Sequence, residues 1–133
     1  MNISEQDIVT ALRERLPTLL AVYLFGSRAT GHARRDSDLD LAVLIEGSLA
    51  PLVTWEVGEE LASKAGCDVD LIDLRIASTV MQYQIITVGR RLWSKDSRAA
   101  LYETFILCEK TALDEARAGL LADIEQRGSV YGG

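Results

Sequence analysis

The chain has only two cysteines in 133 residues. Cys67 and Cys108 show no CxxC spacing, which argues against a disulfide framework or a cysteine-bound zinc and leaves two thiols expected to be buried and reduced. Positive charge is scarce too: 14 Lys and Arg stand against 20 Asp and Glu, for a net charge of -6. A surface of that sign does not hold a long nucleic acid by its phosphates, so any phosphate the protein binds should be small and locally held. No window approaches the roughly 18 apolar residues of a membrane span, and the opening MNISEQDIVT lacks the basic and apolar regions of a secretory leader. A cytoplasmic protein is expected. The one histidine, His32, lies in a polar stretch and reads as a surface loop residue. Repeats and low-complexity linkers are also lacking, so the chain reads as a single domain.

What is present is a core and a concentration of charge. With 48% hydrophobic and 26% charged residues the chain can bury a real interior. Ser4 and Asp7 form an N-cap pair, and Ile8, Leu12 and Leu16 follow at helical spacing up to Pro17. LLAVYLF (19–25) is an unbroken apolar run suited to a strand buried on both faces, with Tyr23 inside it. SRATG begins a short helix stopped by Gly31, and HARRDS is a loop. DLDLAVLI (38–45) is a second strand. Residues 51–65 form a helix with Leu52, Trp55 or Val57, Leu61 and Ala65 on one face, ended by Gly66. CDVDLIDL (67–74) is a third strand, 77–89 a third helix, and RRLW a short edge strand. From about Asp96 to Arg127 the pattern gives one long helix or a broken pair, with Leu101, Phe105, Cys108, Leu113, Ala116, Leu120 and Ile124 as its apolar stripe. That stripe has more apolar positions than a lone helix on a small domain needs, and so offers a partner surface. The expected fold is α/β (α+β): a small mixed sheet packed against helices, a core over 1–95, a helical extension over 96–127 and a disordered tail over 128–133. Trp55, Trp93, Tyr83 and Tyr102 read as packing residues.

The charge is concentrated in LFGSRATGHARRDSDLDLAVLIE (24–46), between two core strands. Residues two apart on a strand project together, so Asp38 and Asp40 share a side while Leu39 and Leu41 face the core. Two carboxylates so placed repel each other unless a cation neutralises them. A hard divalent ion suits oxygen ligands, and magnesium in particular takes one or two carboxylates and completes its shell with water and substrate phosphate. Gly26 lets the backbone approach closely, and Ser27 offers a hydroxyl and free amides to phosphate oxygens at the start of a short helix. Metal-assisted phosphoryl or nucleotidyl transfer is the chemistry that follows. Arg28 serves either a phosphate or an acidic neighbour. Arg34 and Arg35 are either a solvated pair or a contact for triphosphate or an acidic partner.

In this stretch GS is followed by ten residues and then DLD. The pattern resembles the GS-x10-DxD signature of the nucleotidyltransferase superfamily related to DNA polymerase beta, and residues 24–45 agree closely with its minimal nucleotidyltransferases. In DVDLIDL the resemblance assigns the third carboxylate to Asp70. Asp68 shares the face of Asp70 but lies nearer the strand's start, while Asp73 points to the opposite face and suits a turn or salt bridge. Residues 20–93 resemble the stand-alone minimal nucleotidyltransferase antitoxins encoded beside HEPN-domain ribonuclease toxins. The resemblance implies an antitoxin of a type VII-like pair, a protein adenylyltransferase that uses ATP with magnesium or manganese and moves AMP to a tyrosine of the toxin. Asp38, Asp40 and Asp70 would then hold the metal, Asp70 would also help to deprotonate the acceptor, and Gly26, Ser27 and Arg28 would bind the nucleotide phosphates. Two alternatives remain open: a non-catalytic antitoxin that blocks the toxin by stoichiometric binding, and a nucleotidyltransferase acting on a small molecule.

Overall fold

Ser4 caps the first helix, its hydroxyl accepting from the Asp7 amide at 3.1 Å, and the chain then alternates helix and strand throughout. The computed structural model describes residues 3–34 and 37–126, with the helical backbone alone over 121–126. The order is α1 (Glu5–Arg15), β1 (Leu19–Phe25), α2 (Ser27–Thr30), β2 (Leu39–Ile45), α3 (Pro51–Ala65), β3 (Val69–Asp73), a 3₁₀ turn (Leu74–Ile76), α4 (Thr79–Thr87), β4 (Arg90–Ser94) and α5 (Arg98–Gln126). The expected tail over 128–133 lies outside the described residues, as does Arg35.

The four strands stand in the order β3-β2-β1-β4. β1 pairs antiparallel with both β2 and β4, whereas β2 and β3 are parallel. Parallel neighbours need a crossover, and α3 supplies it. The α/β expectation therefore holds, with a mixed sheet and a long C-terminal helix.

Strand alternation splits the interior in two. Val22, Leu24, Leu39, Leu41 and Val43 face α1 and α3, where they meet Ile8, Leu12, Val57 and Leu61. Tyr23, Ala42 and Leu44 face the other way, toward Ile85 of α4 and Ala99 of α5. Central strands buried on both faces cannot alternate polar and apolar residues, which is why β1 reads as one apolar run. Truncating a fully buried side chain such as Leu41 to Ala should cost about 2–5 kcal/mol.

Three expectations from the sequence are corrected. On α3 the buried residues are Val57, Gly58, Leu61 and Ala65, while Leu52 and Trp55 are exposed. Trp55 and Val57 are two apart and cannot share a helix face, and the Val57–Leu61–Ala65 set wins because it fits against β3. On α5 the packed side carries Ala99, Tyr102 and Ile106, while Leu101 (66% exposed), Phe105 (55%) and Cys108 face outward. The helix is apolar on more than one side, so periodicity alone leaves its phase undecided. Hydrogen bonds fix it: the Tyr102 hydroxyl donates to Gln82 Oε1 (2.6 Å), and Gln82 Nε2 donates to the Ala77 carbonyl (2.7 Å). The side chain of Ile124 lies outside the described residues. Finally, Cys67 is half-buried and Cys108 exposed, rather than both buried.

Candidate active site

One end of the sheet gathers the charged residues. In the parallel pair Asp40 stands opposite Asp70, and in the antiparallel pair Phe25 stands opposite Asp40. Three adjacent strands thus converge there: β3 brings Asp70, β2 brings Asp40, and β1 leads into Gly26. Neighbouring strands lie about 4.8 Å apart, so the two carboxylates project side by side from one face. Asp38 is exposed just before β2 and follows the same alternation.

Gly26 has φ +73° and ψ -158°, a conformation essentially reserved for glycine. A Cβ there would lie 2.1 Å from Asp40 Oδ2, so the missing side chain is the space the carboxylate occupies. The turn continues into α2, where the amides of Ala29 and Thr30 fold back onto the Gly26 carbonyl at 3.1 and 3.3 Å. The amides of Ser27 and Arg28 precede that first turn and have no helical partner. Gly31, at φ +80°, ends the helix.

Asp40 carries the electrostatic mark of the cluster. Burial raises its pKa above the ordinary 3.8, the charges of Asp70 and Asp38 raise it further, and the Arg28 guanidinium acts in the opposite direction. Among the described residues the Arg28 side chain reaches no acidic side chain. Its Nε donates to the Asp38 carbonyl at 3.2 Å and its Nη2 to the Ser37 carbonyl, tying the loop that carries Asp38 to the short helix. The same loop is held by Ser37, whose hydroxyl accepts from the Arg34 amide at 2.7 Å. His32 is exposed; its ring bonds only the Thr30 hydroxyl among the described residues, and its amide donates to the Ser27 carbonyl.

Asp68 and Asp73 occupy different surroundings. The Asp68 carbonyl accepts from the Leu39 amide at 2.8 Å, before β3 begins, and its side chain is exposed. Asp73 is buried, at 5% exposure, on the face opposite Asp70, and its Oδ1 caps the 3₁₀ turn through the Arg75 amide at 3.1 Å.

The cluster fits a divalent ion of the magnesium kind. Burial and, after it, the charges of Asp70 and Asp38 raise the pKa of Asp40, whose carboxylate packs into the gap left by Gly26. Among the described residues no three acidic, thiol or imidazole groups already close around one point. An open arrangement offering one or two carboxylates suits an ion that keeps water and substrate phosphate in its shell.

Trp55, which the sequence reads as a packing residue, is 64% exposed and lines a groove beside Asp70. The two-residue offset from Val57 was the signal that it faces outward.

Comparison with known proteins places the chain. Residues 6–98 match the family described as polymerase beta nucleotidyltransferase. The chain is 37% identical over 123 residues to the protein adenylyltransferase MntA of Shewanella oneidensis, covering 92% of this chain and 88% of MntA. It superposes with a TM-score of 0.81 on a chain of a toxin-antitoxin crystal structure with AMP-PNP, at 36% identity over 92% of this chain and 99% of that one. A second structure, tri-AMPylated HEPN toxin of Shewanella oneidensis in complex with its minimal nucleotidyltransferase antitoxin, gives 0.74 at 35% identity over 91% and 95%. With its matched core, its GS turn and its paired strand aspartates, the chain belongs to the polymerase beta nucleotidyltransferase family.

Proposed function

We propose that this protein is an antitoxin that works as a protein adenylyltransferase, moving AMP from ATP to a tyrosine hydroxyl of a HEPN-domain ribonuclease toxin. The observation that carries the reading is the register of Asp40 against Asp70 beside Gly26, a carboxylate cluster abutting a turn built for close backbone approach. The relatives named above are an adenylyltransferase and an antitoxin seated on an AMPylated toxin.

The residues divide the work by position. Ser27, with its hydroxyl and the amides at the start of α2 that have no helical partner, binds the β and γ phosphates; Gly26 sets the turn that brings them beside the Asp40 carboxylate. Asp38, Asp40 and Asp70 would hold magnesium or manganese, which would offset their repulsion and the charge of the phosphates. Asp70 accepts the phenol proton as the tyrosine oxygen attacks the α-phosphorus. A new O–P bond forms, the bond from the α-phosphorus to the bridging oxygen breaks, and pyrophosphate leaves with that electron pair. Asp70 then returns the proton to water. The core through residue 95 carries this site, and α5 (Arg98–Gln126) is a helical extension of the same domain. No helix among the described residues is long and apolar enough to cross a membrane; the cytoplasm, where ATP and RNA are both available, is the proposed place of action.

A second reading is favoured by the outward apolar face of α5, with Leu101 and Phe105: the antitoxin blocks the toxin by binding alone. One experiment separates the two. The protein is incubated at substoichiometric amount with its HEPN partner, ATP and magnesium. The partner should gain mass in steps of one AMP and stay inactive after separation under denaturing conditions and refolding. Each AMP adds negative charge where a ribonuclease must bind RNA phosphate. No added mass, with full activity regained on separation, would leave occlusion as the function.

A further inference from the structure

We propose that the groove along the outer edge of β3 is the acceptor-docking site, taking an extended, tyrosine-bearing segment of the partner and gripping the apolar residue beside that tyrosine with Trp55 and Ile76. The proposal rests on the adenylyltransferase reading and adds where the protein substrate lies.

The groove has a volume of about 540 Å³ between α3 and the end of the sheet. Its walls expose large apolar side chains, Trp55 at 64% and Ile76 at 72%. Exposed aromatic and branched groups lining a concavity gain most when a partner side chain displaces water from them. Where α3 comes nearest β3 it carries Gly58, whose Cβ would stand 3.7 Å from Leu71 Cβ.

Three observations select an extended acceptor segment as the occupant. The first is continuity: Asp70 lines the groove and also belongs to the carboxylate cluster. The leaving pyrophosphate belongs on the β1 side, at Gly26 and Ser27, so an in-line attacking oxygen must enter from the β3 side. The second is the strand itself. β3 ends the sheet, so alternate backbone groups have no strand neighbour and can pair with an added strand. The third is charge. Glu59, Asp70 and Asp73 all line the groove, and Asp73 Oδ2 is buried with no hydrogen-bond partner among the described residues. A ribonuclease that holds RNA carries basic groups, which complement this lining; the triphosphate of a nucleotide does not.

The test uses the full chain and its full-length HEPN partner. Replacing Trp55 by the photoreactive p-benzoylphenylalanine should crosslink to residues flanking the tyrosine that receives AMP. The Trp55→Ala, Ile76→Ala double variant should bind the partner at least about tenfold more weakly by calorimetry, with ATP affinity held within about twofold and Trp55→Phe restoring most of the loss. Both side chains are exposed, so thermal melting should be unchanged. Unaltered partner affinity would overturn the proposal. So would a loss of ATP affinity instead, which would make the groove a base pocket, or a crosslink to a second copy of this chain. If the wild-type protein leaves the partner unmodified, the adenylyltransferase reading fails; the binding and crosslinking results still decide the groove.

Discussion

A side chain on Gly26 would collide with the carboxylate of Asp40, its Cβ 2.1 Å from Oδ2. The glycine is therefore required twice, once for its backbone conformation and once for its neighbour. Gly26→Ala should cost about 1–3 kcal/mol of stability from the strained backbone. It should slow AMP transfer by at least about 10²-fold, since displacing a reacting group by an ångström has that effect. Urea unfolding and a mass-resolved transfer assay check both. Full activity in this variant would dissociate the turn from the site.

The raised pKa of Asp40 gives a pH signature. Asp40 binds its proton more tightly in the folded protein than in the unfolded chain, because of burial and the charges of Asp70 and Asp38. Between the ordinary value of 3.8 and the raised native value, the native state holds more protons, so stability falls as pH rises through that window. The contribution is fully present below 3.8 and lost above the native value. Urea titrations in EDTA should show this loss in the wild-type protein and not in Asp40→Asn. Asp38→Asn, Asp40→Asn should abolish transfer while leaving the metal-free protein as stable or more so, and added magnesium should stabilise only the wild type. Equal magnesium stabilisation of the double variant would reject these two residues as ligands.

Asp70 and Asp73 lie three residues apart on β3 and have opposite fates. Asp70→Asn leaves Asp38 and Asp40 to hold the metal nucleotide, so it should slow transfer by roughly 10²-fold or more, the scale of a lost general base, with a much smaller loss of nucleotide affinity. Asp73→Asn keeps a cap oxygen for the Arg75 amide and should leave the single-turnover rate at saturating partner within about threefold, with stability changed by about 1 kcal/mol. Single-turnover rates together with ATP titrations make the comparison. An essential Asp73 and a dispensable Asp70 would move the base to the other face of the strand.

Much of this site could be read from local pattern. Alternation over 38–41 places Asp38 and Asp40 together, and the glycine turns at Gly26, Gly31 and Gly66 mark the element ends, because these features depend on residues a few positions apart. The pairing of Asp40 with Asp70 is different. It depends on the register of two strands joined by a helix, and that register is set by the packing of Leu39, Leu41 and Leu71 against α3. The phase of α5 was illegible for a related reason. Its position is decided by the Tyr102–Gln82 hydrogen bond, between residues twenty positions apart on different helices, while its apolar residues permit several faces. The groove at Trp55 required knowing that β3 is the last strand, which no spacing in the sequence encodes.

Arg28 supports two contrasting outcomes. Its guanidinium spans the carbonyls of Ser37 and Asp38, a grip that depends on a planar fork of donors, and its charge also opposes the raised pKa of Asp40. Lysine keeps the charge and loses the fork. If the grip positions Asp38, Arg28→Lys should weaken magnesium-ATP binding by about tenfold through misplacement of that carboxylate, while the pH window of stability stays where it is. Arg28→Ala should weaken binding similarly and also move the window upward, because the cation that opposes Asp40 protonation is gone. Calorimetric ATP titration and urea unfolding across pH read the two effects separately. Lysine is itself a good phosphate binder, so full ATP affinity in Arg28→Lys would mean that Arg28 acts as a charge on the nucleotide and that the loop carrying Asp38 holds without it.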